Sequence, residues 1–441
     1  MKRIVLLGAG LSSTNLIKYL LDHSEIHNWH LAIGDLDTAT ALRKVKGHPR
    51  ASVFQFNIFD DNLLKTTVAG ADVVISFLPA AFHPRVAAAC LEARVNMVTA
   101  SYVSKEMKLM ADDIRAAGLL FLNELGVDPG IDHMSAMQVI DRIRAMGGKM
   151  VSFKSNTGGL IAQEYDNNPW HYKFTWNPRN VVLAGQGVSQ FIRNGKYKCI
   201  PYHKLFDRLL YTTVLDYGEF EIYPNRDSLK YRETYNLQGI PTMFRGTMRR
   251  PGYCEAWNVF VQLGATDDTY TLEDSMNMSY RDFINVFLRY DPEKPVEQKL
   301  CEYLDLDPDG EIMQKLTWLG VFENRKVGMP NATPAQILQK LLEEKWALEP
   351  GDKDMLVMQH EFIYELGGEE KKITSSMAII GKDQEETAMS ITVGTPVAIA
   401  VKLLLTGKLN LTGVHTPVIP ELYNPILEEL KTFGIRFVEE S

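Results

Sequence analysis

Residues 4–21 read IVLLGAGLSSTNLIKYLL, and this stretch decides the fold. Its four leading apolar residues predict a short buried strand of a parallel sheet, and Gly8 and Gly10 then turn the chain tightly. Apolar residues recur at helical spacing from Leu16 onwards, and the hydroxyl residues at 12–14 are available to cap the first helical turn. Together these elements predict a phosphate-binding site, in which Gly10 lets the backbone approach a pyrophosphate.

The glycine pattern departs from the usual dinucleotide fingerprint at one position. Ser13 stands where a third Gly or Ala would let the helix pack closely on the strand, and because Ser is small the departure is mild. The alternative interpretation is an ordinary strand-to-helix turn. The clean strand directly before the glycines favours the nucleotide site.

Composition restricts the class of protein. A chain of 441 residues predicts two or three domains, and its net charge of −8 argues against a nucleic acid or an anionic membrane as partner. The apolar run at 396–405 is shorter than a membrane span and includes Lys402. The four cysteines fit no zinc or disulfide spacing, and the ten histidines form no metal motif, so we expect a cytoplasmic protein without a bound metal.

Strands and helices alternate through the first third of the chain. Further strands are predicted at 29–34, 53–58, 72–78, 95–99 and 119–122, with helices between them that include 84–93 and 104–117. Six strands joined by short crossovers predict a doubly wound, Rossmann-type parallel sheet that binds its ligand at the carboxyl ends of the strands.

The end of the second predicted strand carries information about the cofactor. Asp35 stands where an acid accepts hydrogen bonds from the adenosine ribose and repels a 2′-phosphate, although a solvated turn acid is the alternative. Leu36 follows it, so the sequence favours NAD over NADP. Arg43 and Lys44 are the nearby cations that could support NADP.

Loops after the later strands complete the predicted ligand edge. Residues 76–79 and 100–103 are expected to cover the nicotinamide half of the cofactor. The segment 123–130 includes the turn signal Asp128-Pro129-Gly130, and Asp128 is a catalytic candidate because it follows a strand that faces the cofactor.

Several separate motifs carry a resemblance to a known family. The motifs are the glycine turn and the segments 101–104, 123–133, 223–227 and 245–247. By these motifs the chain resembles saccharopine dehydrogenases of the glutamate-forming type over essentially its full length. The resemblance implies an NAD(P)-dependent oxidation of saccharopine to glutamate and 2-aminoadipate 6-semialdehyde, or the reverse, by a homodimer.

The same resemblance implies a division into domains. A Rossmann domain at 1–128 is completed by about 390–441. A second α/β domain for substrate binding and dimerisation comprises 129–265 and 347–389, and a helical domain is inserted at 266–346.

The resemblance also implies site residues. Tyr102 and Asp128 are predicted to transfer protons. The guanidinium groups suit the three carboxylates of saccharopine, and the predicted substrate-binding residues are Ser101, Tyr102, Asp128, Arg226, Arg245, Gly246 and Thr247. The predicted cofactor-binding residues are Gly8, Gly10, Leu11, Ser12, Ser13, Asp35, Asn57, Phe77, Ser101, Val127, Asp128, Pro129 and Trp176, the last of which is alternatively a core residue.

Two other functions compete with this interpretation. A carboxynorspermidine dehydrogenase reduces a related Schiff base, but its diamine substrate calls for acidic groups, and Arg226 and Arg245 favour saccharopine instead. A non-catalytic nucleotide-binding regulator would lack proton-transfer groups, whereas Tyr102 and Asp128 are both present.

Overall fold

The computed structural model describes residues 1–184 and 186–441. Its strands, numbered along the chain, are β1 (Lys2–Leu7), β2 (Trp29–Asp35), β3 (Ala51–Gln55), β4 (Val73–Ser76), β5 (Asn96–Val98), β6 (Leu120–Leu122), β7 (Lys149–Ile161), β8 (Val188–Arg193), β9 (Lys196–Pro201), β10 (Leu210–Thr213), β11 (Glu219–Pro224), β12 (Thr242–Arg249), β13 (Asp354–Leu366), β14 (Glu369–Ile380), β15 (Gly413–His415) and β16 (Val438–Glu440). Its α-helices are α1 (Thr14–Asp22), α2 (Thr38–Val45), α3 (Asp61–Val68), α4 (His83–Ala93), α5 (Lys105–Leu109), α6 (Ala111–Ala116), α7 (Ile131–Ala145), α8 (Pro178–Val182), α9 (Tyr231–Thr234), α10 (Tyr253–Leu263), α11 (Tyr280–Val286), α12 (Val296–Leu304), α13 (Glu311–Leu319), α14 (Pro334–Lys345), α15 (Ala388–Leu405) and α16 (Pro420–Leu430).

The chain divides into two compact units. The first unit comprises 1–149, 365–369 and 379–438, and the second comprises 150–364, 370–378 and 439–441. The finer division into a substrate domain and an inserted helical domain stays a prediction.

The first unit contains the parallel sheet that the sequence predicts. Its strands follow the order β15-β6-β5-β4-β1-β2-β3, and every neighbouring pair is parallel. The chain moves outward from β1 to β3 on one side and from β4 to β6 on the other, so the topological switch lies between β1 and β4. In such sheets the ligand crevice opens at the carboxyl ends of the strands beside the switch.

The apolar run that opens the sequence lies at the centre of this sheet. Residues 4–7 of β1 have no solvent exposure, because β1 is flanked by β2 and β4 and covered on both faces. One local prediction was wrong in detail: the helix expected at 104–117 is two helices, α5 and α6, with Met110 between them.

Helix α15 corrects the expectation drawn from the apolar run at 396–405. The helix begins eight residues earlier, at Ala388, and its 18 residues are long and apolar enough to cross a membrane by length and composition alone. Most of it is buried against the rest of the first unit. Asn15 N donates to Ser390 Oγ over 3.0 Å, and a Cβ on Gly394 would lie 2.8 Å from Ser12 O. Such burial is typical of the core helix of a folded domain.

The second unit is built on a mixed sheet. Its strands follow the order β10-β11-β12-β7-β13-β14-β16, and β8 joins β12 to β9. Strands β7 and β12 are parallel, whereas β10, β11 and β12 are antiparallel. Aromatic rings fill its core, with Trp170 and Trp346 edge to face at 5.3 Å between ring centres.

Candidate functional site

The glycine turn of the first unit has a backbone that only glycine adopts easily. Gly8 has a φ of +97°, and a Cβ placed there would lie 2.7 Å from the carbonyl oxygen of Phe77. Phe77 N donates to Leu7 O over 2.8 Å, which holds the end of β4 against the turn. The turn therefore needs glycine both for its φ and for the close approach of Phe77.

A short 3-10 turn at Leu11–Ser13 links the glycines to α1, and its hydroxyls do not cap it. The expectation of capping by residues 12–14 was wrong, since no side-chain cap bond is present among the described residues at Gly10 or Ser13. Ser13 Oγ instead donates to Gly10 O over 2.8 Å. Ser13 N donates to Gly10 O, and Asn15 N donates to Ser390 Oγ. Within the described part of the chain, the N–H groups of Leu11 and Ser12 have no such acceptor, so they are available to a phosphate.

A lysine braces the same turn. Lys44 Nζ donates to Ser13 Oγ over 2.9 Å and also to Gly10 O. Burial lowers the pKa of Lys44 to about 8, while the neighbouring Asp35 acts in the opposite direction. A cation beside the turn increases its attraction for an anion.

Asp35 ends β2 as the sequence predicts, and its carboxylate is already engaged. Ala9 N donates to its Oδ2 over 2.5 Å, and Asp37 N donates to its Oδ1 over 2.8 Å. A carboxylate has about four acceptor sites, so two remain for a ribose hydroxyl. Asp35 therefore shapes the glycine turn in addition to the role predicted for it.

Three side chains form a chain of hydrogen bonds behind the predicted site residue Ser101. His83 Nδ1 lies 2.8 Å from Ser76 Oγ, and His83 Nε2 lies 2.7 Å from Ser101 Oγ. Burial lowers the pKa of His83 to about 4, so its imidazole is neutral at physiological pH. The sequence interpretation included Ser76 in the segment 76–79 that it assigned to the nicotinamide half, but it missed His83, which lies four residues beyond that segment.

The loop that carries Tyr102 is held by a carboxylate. Val103 N donates to Glu124 Oε1 over 3.0 Å, and Glu124 N donates to Ser101 O over 3.0 Å. Glu124 Oε2 lies 2.7 Å from Nε2 of the fully buried His133. Tyr102 itself is exposed at this edge of the unit.

A tight turn presents Asp128 after β6. Gly126 N donates to Pro129 O over 2.9 Å, and a Cβ on Gly130 would lie 2.1 Å from Gly126 O. Asp128 is half-buried, whereas Val127 and Pro129 are buried. The glycines let the chain close this turn and hold the carboxylate at the carboxyl end of the sheet.

The other cofactor candidates of the first unit lie at the same edge. Asn57 follows β3, is exposed, and accepts a hydrogen bond from Phe59 N over 3.0 Å at its Oδ1. Leu11 is exposed after β1, and Phe77 is half-buried after β4. Every predicted site residue of the first unit thus ends a strand of the parallel sheet or lies in the segment that follows one.

In the second unit, Arg245 is a buried arginine that is fixed in place. It lies on β12, and its guanidinium carbon lies 3.9 Å from the ring centre of Tyr231. Its N donates to Ser228 Oγ over 2.9 Å, and its O accepts from Asn225 N over 2.8 Å. The second bond links Arg245 to the loop that carries the exposed Arg226. Both predicted arginines therefore lie in one neighbourhood.

The residues after Arg245 are restricted by their neighbours. A Cβ on Gly246 would lie 2.2 Å from Ile222 Cγ2 and 2.6 Å from Asn156 Oδ1, so only glycine fits there. Thr247 is half-buried and pairs with Tyr223 of β11 in the strand register. These contacts hold β12 close to β11.

Sequence reasoning missed a second buried arginine on β12. Arg249 has its guanidinium carbon 5.0 Å, 5.3 Å and 5.7 Å from the ring centres of Tyr172, Tyr253 and Tyr223. Residues 245, 247 and 249 share one side of the strand, so the period of two could have identified it. Trp176, predicted for the cofactor, is half-buried and packs against the apolar core of the second unit.

The residues of the first unit fit a nicotinamide dinucleotide. Beside Gly10, a Cβ would meet no atom of the described residues within 4 Å, so the turn faces open space. The uncapped 3-10 turn and Lys44 offer donors to a pyrophosphate, and Asp35 offers acceptors to a ribose. Among residues 1–184 and 186–441, no cluster of three or more His, Cys, Asp or Glu side chains could hold a metal ion.

Two family descriptions match this chain. The saccharopine dehydrogenase NADP binding domain matches residues 4–122, and the saccharopine dehydrogenase C-terminal domain matches residues 126–435. The first match supports a nicotinamide cofactor for the first unit.

Relatives and solved structures agree with these matches. The chain is 33% identical to the saccharopine dehydrogenase [NADP(+), L-glutamate-forming] of Saccharomyces cerevisiae, covering 100% of this chain and 99% of that protein. It is 34% identical to the mitochondrial alpha-aminoadipic semialdehyde synthase of Mus musculus, covering 100% of this chain but 48% of that protein, so it spans about half of that relative's length.

The apo saccharopine dehydrogenase (L-Glu forming) of S. cerevisiae superposes with a TM-score of 0.90 at 31% identity, over 100% of this chain and 99% of that one. The homospermidine synthase of Legionella pneumophila in complex with NAD has a TM-score of 0.58 at 11% identity, over 100% and 91% of the two chains, which shows a shared fold alone. By its matched domains, its full-length relative and its fold, the chain belongs to the saccharopine dehydrogenase family.

Proposed function

We propose that this chain catalyses the nicotinamide-dependent oxidation of saccharopine to glutamate and 2-aminoadipate 6-semialdehyde, or the reverse reaction. The observation that carries the proposal is the similarity to the yeast enzyme of that type, which extends over 99% of the yeast chain. The predicted site residues of the two units supply the kinds of groups that this reaction needs.

Carboxylate recognition is the role we assign to the second unit. Saccharopine has three carboxylates, and a guanidinium fork binds a carboxylate in bidentate geometry. Arg245 is suited to this because the Tyr231 ring and the bonds of its backbone fix its position before the substrate arrives. Arg226 is exposed on the adjoining loop, and Gly246 and Thr247 complete the proposed substrate set.

Proton transfer is the role we assign to the first unit. When bound, the nicotinamide accepts a hydride from the carbon beside the secondary amine of saccharopine. The resulting imine must be attacked by water, so protons move at the amine nitrogen and at the water. Tyr102 and Asp128 are the proposed groups, because both lie on loops at the carboxyl edge of the parallel sheet, and Ser101 contributes a hydroxyl beside them.

NAD is the cofactor that we propose this chain prefers. The support for this preference is Asp35 at the end of β2, since a carboxylate at that position of such a fold repels a 2′-phosphate, and Leu36 offers no compensating charge. The names of the fungal relatives specify NADP(+), so the proposal departs from them. Arg43 and Lys44 are the cations through which NADP could nevertheless be accepted, and the ammonium of Lys44 lies beside Ser13.

A cytoplasmic location and a homodimeric assembly complete the proposal, and both rest on sequence reasoning. Light scattering of the purified protein during size-exclusion chromatography measures the molar mass and tests the dimer. Fractionation of the source cells tests the location.

The decisive experiment follows the absorbance of the reduced nicotinamide while purified protein is mixed with saccharopine and either NAD or NADP. We expect turnover with saccharopine and a higher kcat/KM with NAD. A higher kcat/KM with NADP would retain the reaction and overturn the argument from Asp35. Oxidation of carboxynorspermidine in place of saccharopine would favour the sister activity, and cofactor binding without turnover of either would favour a regulator.

A further inference from the structure

The hydrogen-bonded chain Ser76–His83–Ser101 connects the buried sheet to the candidate site. Ser76 is the last residue of β4 and has no solvent exposure, and His83 is the first residue of α4 and is 4% exposed. Ser101 follows β5 and is half-buried. The chain therefore has a closed inner end at Ser76 and an outer end at Ser101.

The chemistry of the inner end selects the tautomer of His83. Among residues 1–184 and 186–441, the hydrogen-bond partner of Ser76 Oγ is His83 Nδ1 alone. A buried hydroxyl that cannot donate is costly, so the favoured arrangement has Ser76 donating to Nδ1. The neutral imidazole has one donor and one acceptor nitrogen, and Nε2 must then carry the proton.

That tautomer determines what Ser101 can do. Nε2–H donates to Ser101 Oγ across the 2.7 Å contact. Because the hydroxyl oxygen receives this bond, its own hydrogen is directed away from His83. Ser101 then presents a hydrogen-bond donor to whatever lies at the carboxyl edge of the sheet.

His83 controls the hydroxyl of Ser101 and not the position of its backbone. Ser101 N donates to Thr99 Oγ1 over 3.2 Å, and Ser101 O accepts from Glu124 N over 3.0 Å. These bonds hold the loop independently of the imidazole. Loss of His83 should therefore release the rotation of the hydroxyl while the loop stays in place.

We propose that His83 is a positioning residue that acts through Ser101, orienting its hydroxyl as a donor to an oxygen acceptor of the bound reactants. The proposal rests on the proposed function for the identity of those reactants. The acceptor is a carbonyl or carboxylate oxygen, which either the nicotinamide carboxamide or a carboxylate of saccharopine can supply. His83 itself does not contact the reacting atoms.

A double-mutant cycle tests the proposal, using His83→Asn, Ser101→Ala and the double variant. The Asn amide reaches the position of Nδ1, so it keeps the contact with Ser76 and loses the contact with Ser101. We expect His83→Asn to lower kcat/KM by about 10-fold or more. The kcat/KM of the double variant should be no more than about two-fold below that of Ser101→Ala, because substitutions of residues that act as a unit have non-additive effects.

A matched control is available on the same sheet. His30 Nε2 lies 2.9 Å from Ser52 Oγ, but this pair is near the amino ends of β2 and β3, away from the site. His30→Asn makes the same chemical change and should leave kcat/KM within two-fold of the original protein. Circular dichroism melting of each variant verifies that it folds.

The kinetic constants identify the acceptor. A rise in KM for the nicotinamide cofactor identifies the carboxamide, whereas a rise in KM for saccharopine identifies a carboxylate. If the fold-losses of kcat/KM in the two single variants multiply in the double variant, the proposal is overturned, because His83 then acts independently of Ser101.

Cofactor binding separates this inference from the proposed function. The affinity for the reduced dinucleotide, measured by its fluorescence, requires no turnover. If the original protein does not oxidise saccharopine, the proposed function fails, while the same cycle of binding constants still tests His83. Equal affinities across the cycle, without any change in turnover, would overturn the inference.

Discussion

Lowering the pH from 8 to 5 is expected to destabilise the first unit by about 2 kcal/mol through His83 alone. A histidine in the unfolded chain has a pKa of 6.5, and burial lowers the pKa of His83 in the fold to about 4. Between these values the unfolded state binds more protons than the folded state, so the stability falls as the pH falls. The full difference corresponds to about 3 kcal/mol, and about two thirds of it is lost by pH 5.

Hydrogen exchange measures this effect on the first unit by itself. The free energy of opening is obtained from amides of β1 and β4, corrected for the intrinsic pH dependence of exchange. His83→Asn cannot titrate, so its loss of stability between pH 8 and pH 5 should be about 2 kcal/mol smaller than that of the original protein. The variant should also be less stable at pH 8, because it loses the bond to Ser101.

The control for this measurement is again His30→Asn. His30 is half-buried, and its partner Ser52 is exposed. Replacing His30 should therefore leave the pH dependence of the opening free energy at β1 and β4 nearly unchanged. If the opening free energy depends on pH equally in His83→Asn and the original protein, the reasoning is refuted, since His83 would then have the same pKa in the folded and unfolded states.

Three further predictions concern specificity and packing. Asp35→Asn removes the charge that opposes a 2′-phosphate and should raise the ratio of kcat/KM for NADP to that for NAD by about 10-fold; an unchanged ratio would remove Asp35 from cofactor selection. Arg245→Lys should raise the KM for saccharopine by about 10-fold or more, because an ammonium cannot form the bidentate fork; an unaltered KM with a normal melting temperature would contradict this. Gly246→Ala places a Cβ 2.2 Å from Ile222 Cγ2 and should cost about 1–3 kcal/mol of opening free energy at β12, and exchange as slow as in the original protein would show that the neighbours can yield.

Much of the first unit could be predicted because its signals are local. The apolar run at 4–7 and the glycines after it are confirmed as β1 and its turn, and the strands that follow lie within a few residues of their predicted positions. The position of the ligand site at the carboxyl ends of the strands could be predicted from topology, since right-handed crossovers leave few ways to arrange parallel strands.

Other features depended on contacts between segments distant in sequence. Ser13 had the residue type of a cap, yet the nearby Gly10 carbonyl and Lys44 engage its hydroxyl. Helix α15 extends beyond the apolar run at 396–405, because it begins at Ala388 and has Pro396 inside it. A residue type lists the bonds that a side chain can make, but the neighbours decide which bond forms.

The sequence by itself determined the parallel sheet, the glycine turn and the motifs of the family, because periodicity and turn chemistry are properties of short segments. Only the tertiary structure decided that His83 joins Ser76 to Ser101 and that Arg245 rests on Tyr231. Those contacts depend on which strands are neighbours and on the rotation of each helix, and burial then changes the chemistry of the groups that meet. No single stretch of the chain contains that information.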